Sequence, residues 1–220
     1  EAAVSCRAWA TQHPKAQMRD PISVEDVMNS RAIADPLKVL DCSLVSDGGA
    51  AVVITRKDRA KDGPHKAITL LGYGEGHAYE HISQAKDLTT SAAVQSGQAA
   101  YAQAGLTPDD IDLLQLYDCF TPALLIQIED LGFCGKGEGG AWLASGISRP
   151  GGSKPMNTHG GMLSYCHPGN PGAMFGLTEA ITQMRGDAGE RQLPNMRTAL
   201  CHAQGGIMSS HATIILGVEH

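Results

Sequence analysis

The stretch from Asn157 to Gly172, NTHGGMLSYCHPGNPG, limits the folds open to this chain more than any other. Its glycines and prolines are too frequent for a helix or a strand, and a helical pattern follows from Ala173 to Arg185. The stretch is therefore predicted to be a long turn that brings His167 to the N-terminus of a helix. Unpaired N–H groups there attract negative charge and disfavour a charged imidazole. We expect a neutral His167 that is well placed to exchange protons.

The other segments alternate between strand and helix patterns, which is typical of an α/β protein. Ser23 and Asp26 have the spacing of a capping box, which predicts a short helix over Val24–Asn29. Further helices are predicted over residues 90–105, 121–131 and 173–185. Strands are predicted over residues 51–55, 67–74, 111–116, 197–201 and 211–218. The last two strands are too close for a crossover connection, so we expect an antiparallel hairpin.

Several residues allow two interpretations at this stage. Residues 51–55, AVVIT, form a continuous apolar run that indicates a strand buried on both faces. Residues 132–155 are rich in glycine and are predicted to be irregular, as functional or mobile segments often are. Within them, Glu138 is either a surface charge or a group that orients an active site. Asp118 either braces its surroundings by hydrogen bonds or caps the helix expected near Thr121. The histidines expected to be structural or surface residues are His77, His81, His159 and His211.

The composition argues against several classes of function. The 220 residues carry a net charge of −6 without a block of Lys and Arg, so nucleic-acid binding has little support. No apolar run approaches the ~18 residues of a membrane span, and no signal peptide is visible. Six cysteines without a CxxC pair suggest no metal site and predict free thiols in a reducing cytoplasm. Because Glu1 begins in the middle of a pattern, we expect a C-terminal portion of a longer protein.

The glycine-rich stretch also carries a motif. NxxGG beginning at Asn157, followed by His167 and Pro168, resembles the thiolase signature Asn-x-x-Gly-Gly-x-x-x-x-Gly-His-Pro. The sequence departs from that signature at Cys166, where most thiolases have glycine. This departure is more similar to the lipid-transfer-protein-like, or sterol carrier, branch of the thiolase superfamily than to the biosynthetic thiolases.

The resemblance implies a thiolase-like α/β fold, of which this chain supplies the C-terminal half. Residues 1–60 are expected to be the end of the loop domain and the last strand of the N-terminal half, and residues 61–220 the C-terminal thiolase domain. The sequence SDGGA from Ser46 to Ala50 is similar to the thiolase element that closes the N-terminal half. In that family, the serine four residues before the aspartate contacts CoA. Here that residue is Ser43, and a plain turn serine is the alternative.

The thiolase resemblance implies an acyltransferase that forms or cleaves a carbon–carbon bond in 3-ketoacyl-CoA, with this thioester as substrate and no cofactor. The family's nucleophilic cysteine would lie ahead of Glu1, and none of the six cysteines here occupies its motif. His167 matches the histidine that activates that cysteine and binds the substrate oxygen. The acid–base role falls to Cys201, to His202 or to neither, and Tyr117 is a second oxyanion donor. The remaining substrate-binding residues that the motif implies are Asn157, Gly160 and Gly161.

A second resemblance implies a different reaction. The sequences YDCF at residues 117–120 and GFCGKGEGG at residues 132–140 are similar to thiolase-like aldolases of steroid side-chain degradation. Those retro-aldolases act on β-hydroxyacyl-CoA without acyl transfer to cysteine and work with a small OB-fold partner. They generally lack the histidine that this chain keeps as His167, which favours the thiolase reaction. A non-catalytic acyl-CoA- or lipid-binding homologue is the third hypothesis, and family members are usually homo-oligomers.

Overall fold

The structure is a computed structural model that describes residues 1–60 and 62–218. Within these residues the helices are α1 (Ala2–Ala10), α2 (Val24–Asn29), α3 (Lys57–Ala60), α4 (Ala93–Ala104), α5 (Thr121–Asp130), α6 (Gly139–Ala144), α7 (Gly161–Ser164) and α8 (Gly172–Arg185). The strands are β1 (Ala32–Ala34), β2 (Leu37–Lys38), β3 (Ile68–His77), β4 (Leu113–Gln115), β5 (Thr198–Gly205) and β6 (Ser210–Val218). The α/β class predicted from the sequence is confirmed.

Four strands form one mixed sheet in the order β3–β6–β5–β4. β5 and β6 pair antiparallel, with Thr198 opposite Gly217, so the predicted hairpin is confirmed. β4 joins β5 in parallel, with Gln115 opposite Cys201. The carboxyl ends of β4 and β5 therefore lie at the same edge of the sheet. Residues that follow each strand meet at that edge, which is where open α/β sheets bind ligands.

Helices cover the two faces of the sheet, and the alternation of the strands decides which side chains meet them. Leu114 and Ile215 belong to a cluster that includes residues of α4 and α5. Leu113 and Leu216, their neighbours along the chain, belong to a second cluster beneath α8. The sheet is thus buried on both faces where β4, β5 and β6 lie side by side.

The predicted capping box at the start of α2 is confirmed. The Ser23 hydroxyl accepts a hydrogen bond from the Asp26 backbone N–H at 3.1 Å, and the Asp26 carboxylate accepts one from the Ser23 N–H at 2.7 Å. Two of the N–H groups that a helix leaves unpaired at its start are satisfied in this way. The local pattern alone was enough to place this helix.

The predicted strand over residues 51–55 is wrong. This segment has no strand pairing in the structure, and the Val53 and Ile54 side chains are 95% and 89% exposed. A strand needs a neighbour to satisfy its backbone N–H and C=O groups. No strand among residues 1–60 and 62–218 lies beside this segment to provide one. The apolar run has the composition of a buried strand, but among the described residues no neighbouring strand pairs with it.

The glycine-rich residues 132–155 are more regular than predicted, because they contain α6. Lys136 pairs with Asp130 at the end of α5, and this contact anchors the turn before α6. Glu138 is exposed, and its carboxylate accepts a hydrogen bond from the Gly135 N–H at 2.9 Å. Of the two interpretations of Glu138, the structure supports a surface charge that stabilises a local turn.

Two expectations concern the chain as a whole. The boundary near residue 60 between two domains stays a prediction. In the part of the chain that the structure describes, no helix combines the length and the apolar character that crossing a membrane requires.

Candidate active site

His167 lies at the centre of a group of three side chains. Its Nε2 atom is 2.9 Å from the Tyr117 hydroxyl, and its Nδ1 atom is 2.9 Å from the Ser43 hydroxyl. The Tyr117 and His167 rings meet edge to face, with centroids 5.7 Å apart and planes at 81°. All three residues are partly buried, so solvent and ligands can still reach them. Both ring nitrogens of the histidine are thus engaged by hydroxyl groups.

Residues 42–48 place Ser43 against the imidazole, and we call them the 42–48 segment. The Ser43 N–H donates to the Cys119 carbonyl at 2.9 Å, and the Leu44 N–H donates to the Met162 carbonyl at 3.0 Å. The Ser46 hydroxyl accepts from the His167 backbone N–H at 2.7 Å. The segment therefore bridges the end of β4 and the turn that carries His167.

Tyr117 follows β4 and is held from the α5 side. Its backbone N–H donates to the Gln127 side-chain oxygen at 3.0 Å, and its carbonyl accepts from the Gln127 amide at 2.7 Å. Gln127 is fully buried, and its amide also donates to Gln204 at the end of β5. This pair of hydrogen bonds fixes the backbone of Tyr117. Nothing in the sequence pattern distinguishes Gln127 from a polar residue on an exposed helix face, so sequence reasoning missed it.

The pKa values of His167 and Tyr117 determine the protonation state of the site at neutral pH. Burial lowers the pKa of His167, and a hydrogen bond with the Leu44 carbonyl partly offsets that effect. Burial, with smaller contributions from Cys119 and Asp118, raises the pKa of Tyr117 to about 12. Both groups are therefore neutral at pH 7. Donor and acceptor roles at the ring depend on the tautomer: with the ring proton on Nδ1, which we adopt for the reaction proposed below, the ring donates to Ser43 and Tyr117 donates to Nε2.

Cys201 and His202, the predicted acid–base candidates, point to opposite faces of β5. Cys201 packs in the apolar cluster under α8, and burial raises the pKa of its thiol to about 12. His202 is buried on the α4 side, where its ring contacts Thr213 at 2.8 Å and His211 at 3.0 Å. The structure does not bring either residue into hydrogen-bond contact with His167, so their acid–base role stays a prediction.

Asn157, Gly160 and Gly161 are buried in the turn that carries the motif. The Asn157 side chain accepts from the Leu116 N–H at 2.8 Å and donates to the Leu116 carbonyl at 3.0 Å. It therefore ties the turn to the strand end that precedes Tyr117. The structure gives these three residues a part in shaping the turn, and their contact with substrate stays a prediction.

Asp118 braces the site, which is one of the two roles that the sequence left open. Its carboxylate accepts from the Met162 N–H at 2.8 Å and from the Leu163 N–H at 3.4 Å. The other role, capping α5, does not occur, because the residue at that position is Phe120 and no side chain caps the helix. Burial raises the pKa of Asp118 to about 6, against the lowering effect of these N–H groups.

The four histidines expected to be structural lie outside this group. His159 is buried beside Tyr165, with ring centroids 5.2 Å apart, and burial lowers its pKa to about 3. His211 is buried against His202, whereas His77 and His81 are exposed. No group of three or more metal-ligating side chains occurs among residues 1–60 and 62–218.

Residues 74–218 match the thiolase C-terminal domain-like family. The chain belongs to the thiolase superfamily. The resemblance read from the motif around His167 is therefore confirmed, and so is the thiolase-like fold that it implied.

The thiolase-superfamily relatives include enzymes of two reaction types. An acetyl-CoA acetyltransferase of Methanothermobacter thermautotrophicus is 36% identical over 198 residues, which cover 90% of this chain and 52% of the relative. A steroid side-chain-cleaving aldolase of Thermomonospora curvata is 39% identical over 225 residues, which cover 99% of this chain and 56% of the relative. The chain spans about half the length of these curated relatives.

A solved structure described as an Ltp2-ChsH2(DUF35) aldolase matches with a TM-score of 0.90 at 38% identity. The match covers 99% of this chain and 57% of that chain. The relatives are enzymes of the thiolase superfamily, and their names divide between acyl transfer and carbon–carbon bond cleavage.

Proposed function

We propose that this chain is the C-terminal portion of an enzyme that cleaves a carbon–carbon bond of a β-hydroxyacyl-CoA by a retro-aldol reaction. This is the second of the two reactions that the sequence resemblance implies. The observation that carries it is the engagement of both His167 ring nitrogens by hydroxyl groups, Tyr117 on Nε2 and Ser43 on Nδ1. The similarity to a steroid side-chain-cleaving aldolase and to an Ltp2-ChsH2(DUF35) aldolase supports it further.

The geometry favours retro-aldol cleavage over acyl transfer for a physical reason. A thiolase histidine must take a proton from a nucleophilic thiol, which requires a ring nitrogen that faces that thiol. Here both ring nitrogens lie 2.9 Å from hydroxyl oxygens instead, Nε2 from Tyr117 and Nδ1 from Ser43.

In the proposed reaction, Tyr117 passes its proton to Nε2 of His167 as its oxygen accepts the proton of the substrate β-hydroxyl. The bond between the α and β carbons breaks, and its electron pair moves onto the thioester as an enolate. The carbinol carbon becomes a ketone or an aldehyde. The imidazolium that forms is stabilised because its Nδ1–H donates to Ser43. The proton returns through Tyr117 to the α carbon, which releases a shortened acyl-CoA.

The assembly of the enzyme is part of the same proposal. The Ltp2-ChsH2(DUF35) complex supports a small partner subunit, which the sequence resemblance describes as an OB-fold protein. We also propose that the protein forms a homo-oligomer and binds acyl-CoA without a further cofactor. Its location would be the cytoplasm, where its thiols stay free.

The proposal is tested with the full-length protein, alone and with its small partner, on a β-hydroxyacyl-CoA and on acetoacetyl-CoA. We expect cleavage of the first substrate to a carbonyl product and a shorter acyl-CoA. Tyr117→Phe should lower kcat by ~10²–10⁴-fold, because it removes the proton carrier. Tyr101→Phe is the matched control, since its hydroxyl donates to the Leu131 carbonyl at the C-terminal end of α5. CoA-dependent thiolysis of acetoacetyl-CoA that Tyr117→Phe leaves intact would reject the proposal in favour of a thiolase.

A further inference from the structure

The three residues of the candidate site come from three separate segments, and these segments meet at the backbone of one residue, Met162. The backbone N–H of Met162 donates to Asp118, the residue directly after Tyr117. The carbonyl of Met162 accepts from the N–H of Leu44, the residue directly after Ser43. Met162 itself lies in the turn that leads to His167. The backbone of one residue, through the two consecutive peptide groups that flank its Cα, therefore connects the three segments of the site.

The contact with Asp118 depends on an unusually close approach. A Cβ atom at Gly161 would lie 1.9 Å from one carboxylate oxygen of Asp118. Gly161 also has a φ of +66°, in the left-handed region that glycine adopts at little cost. Only glycine at this position lets the carboxylate reach the N–H groups of α7. The second glycine of the motif thus has a specific task, which is to admit the Asp118 side chain.

Burial of the Asp118 carboxylate costs free energy. The residue is 1% exposed. Its pKa is raised to about 6 by burial, and its partners are backbone N–H groups and the Cys6 thiol. An apolar side chain would fill this space without the cost of burying a charge. The retained carboxylate is explained if its hydrogen bonds hold a geometry that packing alone would not.

We propose that Asp118 is a positioning residue, whose carboxylate holds the backbone of Met162 through its N–H so that Tyr117 and His167 stay within hydrogen-bond distance. The geometric part of this inference stands on the contacts alone, and its catalytic consequence rests on the proposed function. Asp118 does not touch the reacting atoms. It acts through the relative placement of the strand end that carries Tyr117 and the turn that carries His167.

The test uses two substitutions in the full-length protein. Asp118→Ala removes the acceptor, whereas Asp118→Asn keeps one oxygen for the Met162 N–H. We expect Asp118→Ala to lower kcat by ~10²-fold with KM changed by less than about threefold, because a misplacement of roughly 1 Å costs about that much in rate. Asp118→Asn should recover most of the rate. Asp130→Ala is the matched control, since this buried carboxylate accepts from the Ser91 N–H at 2.7 Å and lies at the far end of α5. It should lower thermal stability and leave kcat unchanged.

A spectroscopic readout separates this inference from the proposed reaction. With ¹⁵N-labelled histidine, NMR should show a hydrogen-bonded Nε2 signal of His167 that Tyr117→Phe removes. We expect Asp118→Ala to remove it too, and Asp118→Asn and Asp130→Ala to keep it. Loss of the signal in Asp118→Ala supports the positioning role even if no substrate is cleaved. If Asp118→Ala does not fold, the inference is tested with Asp118→Asn instead. We expect Asp118→Asn to have the same His167 Nε2 signal and the same kcat as the Asp130→Ala control. A folded Asp118→Ala that keeps both the signal and kcat would overturn the inference, as would a folded Asp118→Asn that loses both.

Discussion

At the scale of single residues, the chemistry of the site depends on where the protons sit at neutral pH. His167 is uncharged because burial lowers its pKa, and Tyr117 is uncharged because burial raises its pKa to about 12. The pair therefore stores one transferable proton between Oη and Nε2. Ser43 completes the arrangement by facing Nδ1, where it stabilises the ring once a second proton arrives.

Substitution Ser43→Ala should slow the reaction without weakening substrate binding. Removing the partner of the imidazolium costs ~1.5–3 kcal/mol, which corresponds to about a 10–100-fold lower kcat. Steady-state kinetics of the full-length protein measure this, with Ser30→Ala as the control because its hydroxyl only donates to the Val27 carbonyl at the end of α2. A raised KM with unchanged kcat would instead assign Ser43 to CoA contact alone.

The pH dependence of kcat/KM should show one limb in the ordinary range. The base form of His167 is lost only as the pH falls through a pKa below 6.5, so activity should rise with pH there. Because the pKa of Tyr117 is about 12, no loss is expected between about pH 7 and 10. A profile that rises instead between pH 8 and 9, as an ordinary thiol ionises, would contradict the assignment of the base.

The residues of the site could be predicted from the sequence only in part. His167 lies ahead of α8, as the pattern predicts, but the stretch before it contains the short helix α7, which its glycines and prolines did not predict. The family resemblance selected Tyr117 and Ser43 but assigned Ser43 to CoA. Its contact with His167 joins residues 124 positions apart, and no local periodicity encodes a contact over that distance.

At the scale of elements, helices and paired strands were predictable and the isolated strand was not. α8 begins one residue earlier than the pattern from Ala173 suggests, and α2 matches its capping box. These elements contain their own hydrogen bonds or pair within the chain. The run at residues 51–55 fails because a strand is defined by its neighbours, which a single segment's composition does not specify.

The close packing of α4 on β3 gives a prediction for one glycine. Gly74→Ala should lower the free energy of unfolding by ~1–3 kcal/mol, because the new Cβ would lie 2.2 Å from the Ser96 carbonyl oxygen and force α4 away. Gly49→Ala, where no atom lies within 4 Å of the new Cβ, should change it by less than ~0.5 kcal/mol. Urea denaturation of both variants measures the difference. Equal midpoints would show that α4 does not pack on β3 as described.

At the scale of the whole molecule, buried histidines make stability depend on pH. Burial lowers the pKa of His159 and His202 to about 3 in the folded chain, whereas both take up protons near pH 6.5 when unfolded. Their contribution to stability is therefore complete above pH 6.5 and is lost as the pH falls. Each of these two histidines lowers the free energy of unfolding by ~1.4 kcal/mol per pH unit below that point. Asp118, with its pKa raised to about 6, acts in the opposite direction between about pH 6 and 4 and offsets about one histidine.

The midpoint of urea unfolding should therefore fall steadily when the pH is lowered from 7.5 to 5. His159 and His202 together outweigh the raised carboxylate of Asp118, so the net change has the sign of the histidines. A midpoint that stays constant, or rises, over this range would show that His159 or His202 is charged in the folded protein.

The central claim is that a carbon–carbon bond is cleaved by a histidine–tyrosine pair without an acyl group passing through cysteine. Intact-mass spectrometry of the full-length enzyme, quenched during turnover of a β-hydroxyacyl-CoA, tests this claim most directly. We expect the protein mass to stay that of the free enzyme while the carbonyl product and the shortened acyl-CoA accumulate. A mass increase equal to the acyl group, located on a cysteine, would contradict the claim and establish acyl transfer.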